Sequence, residues 1–256
     1  MFEDKREQQA EGLIAGRNAV LEALRAGHPM ESVMMVRGGT GAPVSRILSL
    51  CRARGVPVKE VNAAKLDALC GGLNHQGVAA VAAAHEYAQV EDILAAAQSK
   101  GEPPFLIIAD ELSDPHNLGA VIRTAEAAGA HGVILPKRGA AGLTMAVAKA
   151  ACGALEYLPV ARVPNLAATV DELKAKNIWI YGADMSGAPA FETDFSGGCA
   201  LVIGSEGFGI SRLLREKCDF LVSLPMKGKI SSLNASVAAG ILMYEVVRRR
   251  QAAAHQ

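Results

Sequence analysis

The sequence predicts an α/β protein with two units, a small one followed by a larger one built on a mostly parallel sheet. Along the 256-residue chain, strand-like segments alternate with segments of helical periodicity, an alternation typical of α/β folds. Several strand-like segments in the second half are unbroken runs of Ile, Leu and Val, as expected for strands covered on both faces. Half of the residues are hydrophobic, which is enough for a sizeable core.

The small first unit is expected over residues 13–84, after a polar tail at 1–12. Apolar residues recur there at helical spacing in segments that end near a glycine, and apolar strand-like runs lie between them. The predicted helices are 16–27, 43–55 and 63–72, and the predicted strands are 32–36, 56–61 and 77–83. Residues 85–104 are predicted to link the units, because they are rich in acidic residues and end in Gly-Glu-Pro-Pro.

The larger second unit is expected over residues 105–250, with a short tail at 251–256. Its predicted strands are 105–110, 132–136, 155–160, 177–184, 199–204 and 220–225. Its predicted helices are 117–128, 143–150, 166–176, 209–217 and 233–249. This order gives an open, mostly parallel sheet with helices on both faces, and such sheets bind ligands at the carboxyl ends of their strands.

The composition excludes several classes of protein. The 26 basic residues balance the 26 acidic ones, so a uniformly basic nucleic-acid-binding surface is excluded, although a local basic patch is not. Aromatic residues make up 4% of the chain, which argues against a base-stacking platform of the RRM or OB type. No run of about 18 apolar residues occurs, so we expect no membrane span and no membrane partner.

The cysteines indicate a reducing compartment. There are five of them, without a CxxC pair or a His/Cys cluster, so buried free thiols are expected and a metal site is not. The charged N-terminus has no apolar core of the kind found in secretory signals. Together these features predict a cytoplasmic protein.

Residues 114–129, directly after the first predicted strand of the second unit, are the first of three segments with candidate chemistry. An Asp-Pro-His turn precedes Asn117, which is a good N-cap for the following helix. Gly119 would let another backbone come close. Arg123 follows Asn117 by six residues, which is less than two helical turns. The alternative is an ordinary strand–helix corner with a solvated arginine.

The second segment, residues 201–209, runs from an apolar strand into the glycine-rich loop Gly-Ser-Glu-Gly-Phe-Gly. A glycine loop after a strand admits a ligand against the backbone. The glycine order is neither GxGxxG nor GxxxxGK[ST], so a nucleotide-dependent oxidoreductase is disfavoured. Glu206 stands between glycines although Glu is not a turn former, which indicates a hydrogen-bonding role.

The third segment, residues 227–250, places polar residues just after the last predicted strand. Ser231 or Ser232 could cap the final helix, with Asn234 in its first turn. The small residues that follow predict that something packs very close to this helix: Ala235, Ala238, Ala239 and Gly240. The alternative is a C-terminal docking helix with capping serines, which does not explain why Lys, Ser and Asn converge there.

Together, the three segments resemble the motifs of the SpoU/TrmH family of RNA 2′-O-ribose methyltransferases, in the SPOUT superfamily. The matching residues are Asn117, Leu118, Gly119 and Arg123, then Gly204, Glu206, Gly207 and Gly209, then Ser231, Ser232, Leu233, Asn234 and Ser236. The resemblance covers residues 105–250. The first unit, with Gly-Arg-Asn-Ala-Val-Leu-Glu-Ala-Leu near its start, resembles the RNA-binding extension of the branch that modifies a guanosine of 23S ribosomal RNA.

The resemblance implies a SPOUT-type α/β knot, a deep trefoil knot, preceded by a small α/β RNA-binding domain. It also implies a homodimer in which the last helix and the first helix of the second unit supply the contact. The implied cofactor is S-adenosylmethionine and the implied partner is 23S rRNA. The expected activity is methylation of a guanosine ribose. By the same resemblance the cofactor would contact these residues: Ile203, Gly204, Gly207, Leu224, Ser232 and Leu233.

The resemblance also implies catalytic roles. Arg123 would act either as the base or as a cation that steadies the oxyanion; a guanidinium is very hard to deprotonate, which favours the cation. Asn117, Ser232 and Asn234 would orient the ribose and Arg123. Glu206 would fix either the glycine loop or the Asn117 side chain by hydrogen bonds. Two alternatives stay open: a tRNA guanosine 2′-O-methyltransferase of the same family, and a non-catalytic ribosome-associated RNA-binding protein.

Candidate RNA contacts must come from local clusters of cations, since the charge is balanced over both units. They are Arg46, Arg52, Arg54 and Lys59 in the first unit, and Lys227 and Lys229 in the second. The alternative for the first group is the solvated face of an amphipathic helix. The run Arg248–Arg250 is expected to favour the C-terminus of the last helix rather than RNA.

Overall fold

A computed structural model describes residues 12–205, 207–229 and 232–254 of the chain. The predicted site residues Glu206 and Ser231 lie outside the described residues, as do 1–11 of the first tail and the last two residues of the second. Two compact units are present. One comprises residues 12–86 with 142–146, and the other 87–141 with 147 onward.

The first unit is built on a four-stranded sheet in the order β1-β4-β2-β3. Its strands are β1 (Leu13–Ala15), β2 (Met30–Val36), β3 (Val58–Val61) and β4 (Val78–Ala82). Strand β4 runs antiparallel to β1 and β2, while β2 and β3 are parallel. Sequence analysis missed β1, because three residues are too few to show a strand pattern.

Three helices complete the first unit: α1 (Arg17–Ala26), α2 (Ala42–Ala53) and α3 (Ala63–Cys70). Helices α1 and α2 bury one apolar stripe each in a shared core with β2 and β4: Val20, Leu21 and Leu24, and Val44, Ile47 and Cys51. Helix α3 covers a second, smaller core through Leu66 and Cys70. Gly27 and Gly71 end α1 and α3 in the left-handed conformation that glycine adopts without strain.

The second unit contains a six-stranded sheet in the order β10-β8-β9-β5-β6-β7, and all its strands are parallel. The strands are β5 (Phe105–Ala109), β6 (Gly132–Pro136), β7 (Val160–Val163), β8 (Trp179–Pro189), β9 (Cys199–Ile203) and β10 (Phe220–Ser223). The predicted α/β class with a parallel sheet is confirmed.

The strand predicted at 155–160 is wrong, because β7 begins only at Val160. Cys152 and Gly153 both adopt a positive φ, and a 3-10 turn follows them. Leu155 and Leu158 are buried, but they pack from this turn rather than from a paired strand. The segment therefore has the apolar composition of a strand because its leucines are buried, although it forms no strand.

The helices of the second unit lie on both faces of the sheet: α4 (Val90–Lys100), α5 (Pro115–Ala127), α6 (Met145–Ala151), α7 (Leu166–Ala175), α8 (Arg212–Lys217) and α9 (Ala235–Ala254). Helices α4, α7 and α8 share one core with the sheet, while α5 and α9 contact each other and strands β6 and β9. Helix α4 lies in the segment predicted as a link, and its Ile93 is fully buried in the core of the second unit.

The arginines at the end of α9 are engaged within the chain. Arg248 and Arg249 both pair with the buried carboxylate of Glu245. The guanidinium of Arg250 donates to the carbonyl oxygens of Pro103, Pro104 and Gly197 at 2.8 to 2.9 Å. It therefore ties the C-terminal helix to the entrance of β5 and to the loop before β9.

The five cysteines are free thiols. Cys51, Cys70 and Cys199 are buried as expected, and burial raises the pKa of Cys199 to about 11. Cys152 is exposed, contrary to the prediction, because it lies in the positive-φ turn after α6. No helix among the described residues combines the length and the apolarity needed to span a membrane.

Candidate active site

A cavity of about 490 Å³ opens beside the middle of β8 and the carboxyl ends of β9 and β10; an open parallel sheet is expected to bind a ligand at the carboxyl ends of its strands. Its volume falls in the range of small-molecule sites, about 300–1,000 Å³. The lining residues come from the middle of β8, the ends of β9 and β10 with the segments that follow them, and the first turns of α9: Ala183, Asp184, Met185, Ile203, Gly204, Ser205, Gly207, Phe208, Gly209, Val222, Ser223, Leu224, Met226, Ser232, Leu233, Ala235, Ala238 and Leu242.

The glycine loop after β9 is closed on itself. Ser205 and Gly209 exchange two backbone hydrogen bonds of 2.9 to 3.0 Å. A Cβ atom at Gly204 would overlap the backbone of Gly209 and Ile210, and Gly209 itself has a φ of 67°. The loop can therefore keep its path only with glycine at position 204, and its backbone forms one wall of the cavity.

Ser205 places an unsatisfied hydroxyl in this wall. Its Oγ is buried, and no hydrogen-bond partner for it exists among the described residues. A buried polar atom without a partner costs roughly 1–3 kcal/mol. Because Ser205 also lines the cavity, its hydroxyl is a candidate partner for a polar ligand bound there.

Asp184 places a negative charge in the lining of the cavity. Its carboxylate accepts hydrogen bonds from Ser186 N and Oγ at 2.8 and 2.6 Å, and from Arg215 Nε at 2.8 Å. Burial acts to raise the pKa of Asp184, but these hydrogen bonds and the charge of Arg215 leave that pKa below its usual value. Sequence analysis did not select Asp184, although it lies at the end of a predicted strand.

Asn117 and Asn234 join two of the predicted motifs. Asn234 Nδ2 donates to Asn117 Oδ1 at 3.0 Å, which fixes the start of α9 against the first turn of α5. Asn117 is 8% exposed, so its amide needs such a partner.

The predicted caps of these two helices are wrong. Asp114 caps α5 by accepting from His116 N, because Pro115 favours the first helical position and the helix starts earlier than expected. Asn234, rather than Ser232, precedes the first turn of α9 and accepts from Ser236 N and Val237 N. Asn234 therefore both caps α9 and reaches Asn117.

Gly119 has the predicted role of allowing a close approach. A Cβ at this position would overlap Ala150 and lie 2.8 Å from the carbonyl oxygen of Val147. Helix α6 therefore packs directly on the backbone of α5, and the motif glycine of the first segment is a packing residue.

The structure brings the predicted cofactor-binding residues together but leaves Arg123 apart from them. All six residues predicted to contact a cofactor line the cavity: Ile203, Gly204, Gly207, Leu224, Ser232 and Leu233. Arg123 does not line it. Its side chain is exposed on α5, where Nη1 donates to Cys152 Sγ at 3.4 Å. Within one chain, the predicted catalytic arginine is thus not part of the cavity wall.

Helix α9 carries an exposed apolar stripe. Val237, Ile241 and Tyr244 are 50%, 38% and 52% exposed, and their spacing of four and three residues places them on one face. Contiguous exposed apolar side chains on a soluble domain indicate an interaction surface.

The predicted basic clusters are exposed. Arg46, Arg52, Arg54 and Lys59 all lie at the surface of the first unit, with Arg54 also donating to the carbonyl oxygen of Arg25 at 3.4 Å. Lys227 and Lys229 are exposed directly after Met226, which lines the cavity. No group of three or more His, Cys, Asp or Glu side chains with metal-binding geometry occurs in the described part of the chain.

Comparison with known families matches both units. Residues 104–244 match the SpoU rRNA methylase family. Residues 13–88 match the RNA 2′-O ribose methyltransferase substrate-binding domain. YacO of Bacillus subtilis (strain 168), provisionally named a TrmH family tRNA/rRNA methyltransferase, is 49% identical over 243 residues, which cover 94% of this chain and 97% of YacO.

Two solved structures resemble nearly the whole chain. The SpoU methyltransferase AviRb from Streptomyces viridochromogenes, in complex with the cofactor AdoMet, matches with a TM-score of 0.60 and 29% identity over 97% of this chain and 94% of AviRb. An AdoMet-bound rRNA methyltransferase from Sinorhizobium meliloti matches with a TM-score of 0.58 and 25% identity over 96% of this chain and 90% of that protein.

Proposed function

The chain belongs to the SpoU/TrmH family of RNA methyltransferases, and we propose that it methylates the ribose 2′-oxygen of a guanosine in 23S ribosomal RNA. The observation that carries this proposal is the cavity beside the glycine loop, because all six residues that the resemblance assigns to cofactor binding line it. S-adenosylmethionine is the cofactor of this family.

The residues of the cavity fit S-adenosylmethionine. The backbone at Gly204 leaves no room for a side chain, so an adenosine can lie directly against the loop. Ser205 Oγ offers a hydrogen bond that nothing in the described chain uses. When bound, S-adenosylmethionine supplies an electrophilic methyl group on a sulfonium and leaves as the neutral thioether.

Replacing Ser205 with Ala tests this fit. Because the free protein then loses an unsatisfied buried hydroxyl, we expect its free energy of unfolding to rise by about 1 kcal/mol. The dissociation constant of S-adenosylmethionine should rise about tenfold through loss of the hydrogen bond. Calorimetric titration and denaturant unfolding measure the two effects; lower stability with unchanged affinity would show that the hydroxyl serves the fold instead.

The role proposed for Arg123 is that of a cation beside the reacting sugar. Acting as a base near pH 8 would require the neutral guanidinium, at a cost of roughly 6–8 kcal/mol. A charged Arg123 stabilises the alkoxide that forms as the 2′-hydroxyl loses its proton to water. Asn117 and Asn234 hold the neighbouring backbone in place, and Ser232 is available at the cavity edge to orient the ribose. Glu206 is proposed to fix the glycine loop.

A homodimer is proposed because one chain does not bring its own Arg123 to its own cavity. The exposed stripe Val237, Ile241 and Tyr244 on α9 provides an apolar surface for a second copy. Arg123 of one copy would then serve the cavity of the other. We also propose that the second unit forms the deep trefoil knot of the SPOUT fold, which the match of residues 104–244 to the SpoU rRNA methylase family supports.

Ribosomal RNA is proposed as the substrate because the match to the rRNA methyltransferase from Sinorhizobium meliloti extends over both units. A tRNA substrate is the second candidate, since the name of the Bacillus subtilis relative includes tRNA. The basic residues of the first unit, Arg46, Arg52, Arg54 and Lys59, are proposed RNA contacts.

Methyl transfer from radiolabelled S-adenosylmethionine to 23S rRNA and tRNA transcripts tests the proposal. We expect label in the 23S transcript only, on a guanosine whose 2′-O-methyl group disappears from the rRNA of a strain lacking the protein. Label in tRNA alone would establish the second candidate. Cofactor binding without transfer to either RNA, or to ribosomal assembly intermediates, would instead support a non-catalytic RNA-binding protein.

A further inference from the structure

Phe208 is an unusual surface residue at the cavity. Its side chain is 92% exposed, it lies between Gly207 and Gly209 at the tip of the glycine loop, and it lines the cavity. Phenylalanine is among the residues most often buried in folded proteins, and the chain contains only six of them. A fully exposed ring at the rim of a binding site indicates that a ligand covers it.

We propose that Phe208 is a specificity residue against which the base of the acceptor nucleotide stacks. This inference rests on the proposed function. For methyl transfer, the ribose 2′-oxygen must approach the reacting carbon to about 3–3.5 Å. The base is attached to the same ribose, so it must lie at the rim of the cavity. Phe208 offers a planar apolar ring there, and aromatic rings bind bases by stacking.

The rim around Phe208 has the character of an RNA site. Met185 also lines the cavity and is 64% exposed, which adds a second apolar side chain at the rim. Lys227 and Lys229 are exposed immediately after the lining residue Met226. An apolar ring at the cavity, with two exposed cations in the segment that follows a lining residue, matches a nucleotide, whose base is planar and whose phosphate is negative.

A second copy of the chain is the other conceivable occupant. The apolar stripe of Val237, Ile241 and Tyr244 on α9 already provides a surface for it. Phe208 belongs to the loop that lines the cavity, whereas none of the three stripe residues lines it. Continuity with the cofactor site therefore favours the RNA base.

Replacing Phe208 with Ala, Leu and Trp tests the stacking. With the 23S rRNA transcript, we expect Phe208→Ala to raise KM about tenfold, equivalent to about 1.4 kcal/mol, while the dissociation constant of S-adenosylmethionine stays at the wild-type value. Phe208→Leu keeps an apolar side chain without a ring face, so its KM should be raised as much as that of Phe208→Ala. Phe208→Trp should restore the wild-type KM. Phe191→Ala, at an exposed aromatic outside the cavity lining, is the matched control.

Three outcomes would overturn the inference. An unchanged KM in Phe208→Ala would show that the ring does not contact RNA. A Leu variant equal to wild type would indicate apolar packing rather than stacking. A sedimentation coefficient lowered by Phe208→Ala would assign the ring to contact between copies. In each of these cases the proposed function still stands if the wild-type protein methylates RNA. A wild-type protein that methylates neither 23S rRNA nor tRNA would contradict both the proposed function and the role of Phe208.

Discussion

Replacing Arg123 with Ala is expected to reduce kcat for RNA methylation by about 10²–10³-fold, the usual effect of removing one charge-stabilising group from an active site. Arg123 is exposed and does not line the cavity of its own chain. The dissociation constant of S-adenosylmethionine should therefore stay at the wild-type value. Single-turnover methylation and calorimetric titration measure the two quantities.

Arg123→Lys separates the two roles that remain for this residue. A cation that stabilises the alkoxide can be replaced in part by an ammonium, so measurable activity is expected. An unchanged pH–rate profile in this variant would count against Arg123 as the base, because a lysine base would titrate in a lower pH range. Complete inactivity of Arg123→Lys would instead favour a geometry that only the guanidinium fork can supply.

Heterodimers show whether Arg123 acts across the proposed interface. Two inactive chains, Arg123→Ala and Gly204→Ala, are co-expressed with different tags and purified as the mixed dimer. If Arg123 serves the partner's cavity, one of the two sites has an intact cavity and an intact arginine, so about half of the wild-type activity returns. An inactive heterodimer would place Arg123 in the site of its own chain, and a monomer in sedimentation velocity would contradict the dimer itself.

The second large effect is expected at Gly204. A Cβ added there would overlap the backbone of Gly209 and Ile210, so Gly204→Ala must displace the loop that forms one cavity wall. We expect the affinity for S-adenosylmethionine to fall at least about 100-fold, the size of effect seen when a site is misplaced by about 1 Å. Calorimetric titration measures this loss.

Gly197→Ala is the matched control for Gly204→Ala. A Cβ at Gly197 meets only Trp179, at ordinary van der Waals distances of 3.7 to 4.0 Å, so folding and cofactor binding should be unaffected. Circular dichroism and thermal unfolding show whether Gly204→Ala still folds. A folded Gly204→Ala that binds the cofactor as tightly as wild type would disprove the placement of the site.

Much of the fold follows from local sequence. Continuous apolar runs such as 105–110 and 199–204 correspond closely to β5 and β9, because strands buried on both faces require them. Residues 155–160 misled the prediction, since Leu155 and Leu158 are buried by a turn that depends on the positive φ of Cys152. A non-glycine residue in that conformation leaves no clear sequence signal.

The candidate site was predictable only in part. The glycines and the Ser-Leu-Asn segment were recognisable because their motif spacing is distinctive. The pairing of Asn117 with Asn234 joins residues far apart in the chain, and single-sequence periodicity does not report such contacts. Asp184 was not predicted as a site residue, because its fixed position depends on hydrogen bonds from Ser186 and Arg215 that the sequence does not reveal. The exposure of Phe208 likewise depends on how the loop is closed.

Arg250 has a consequence for how the protein is made. The carbonyl oxygens that it binds belong to Pro103, Pro104 and Gly197, which leave the ribosome long before it does. Because synthesis proceeds from the N-terminus, the start of β5 is made well before its hydrogen-bond donor, which lies 147 residues further along the chain. The second unit can therefore form these hydrogen bonds only after all six strands of its sheet have been synthesised.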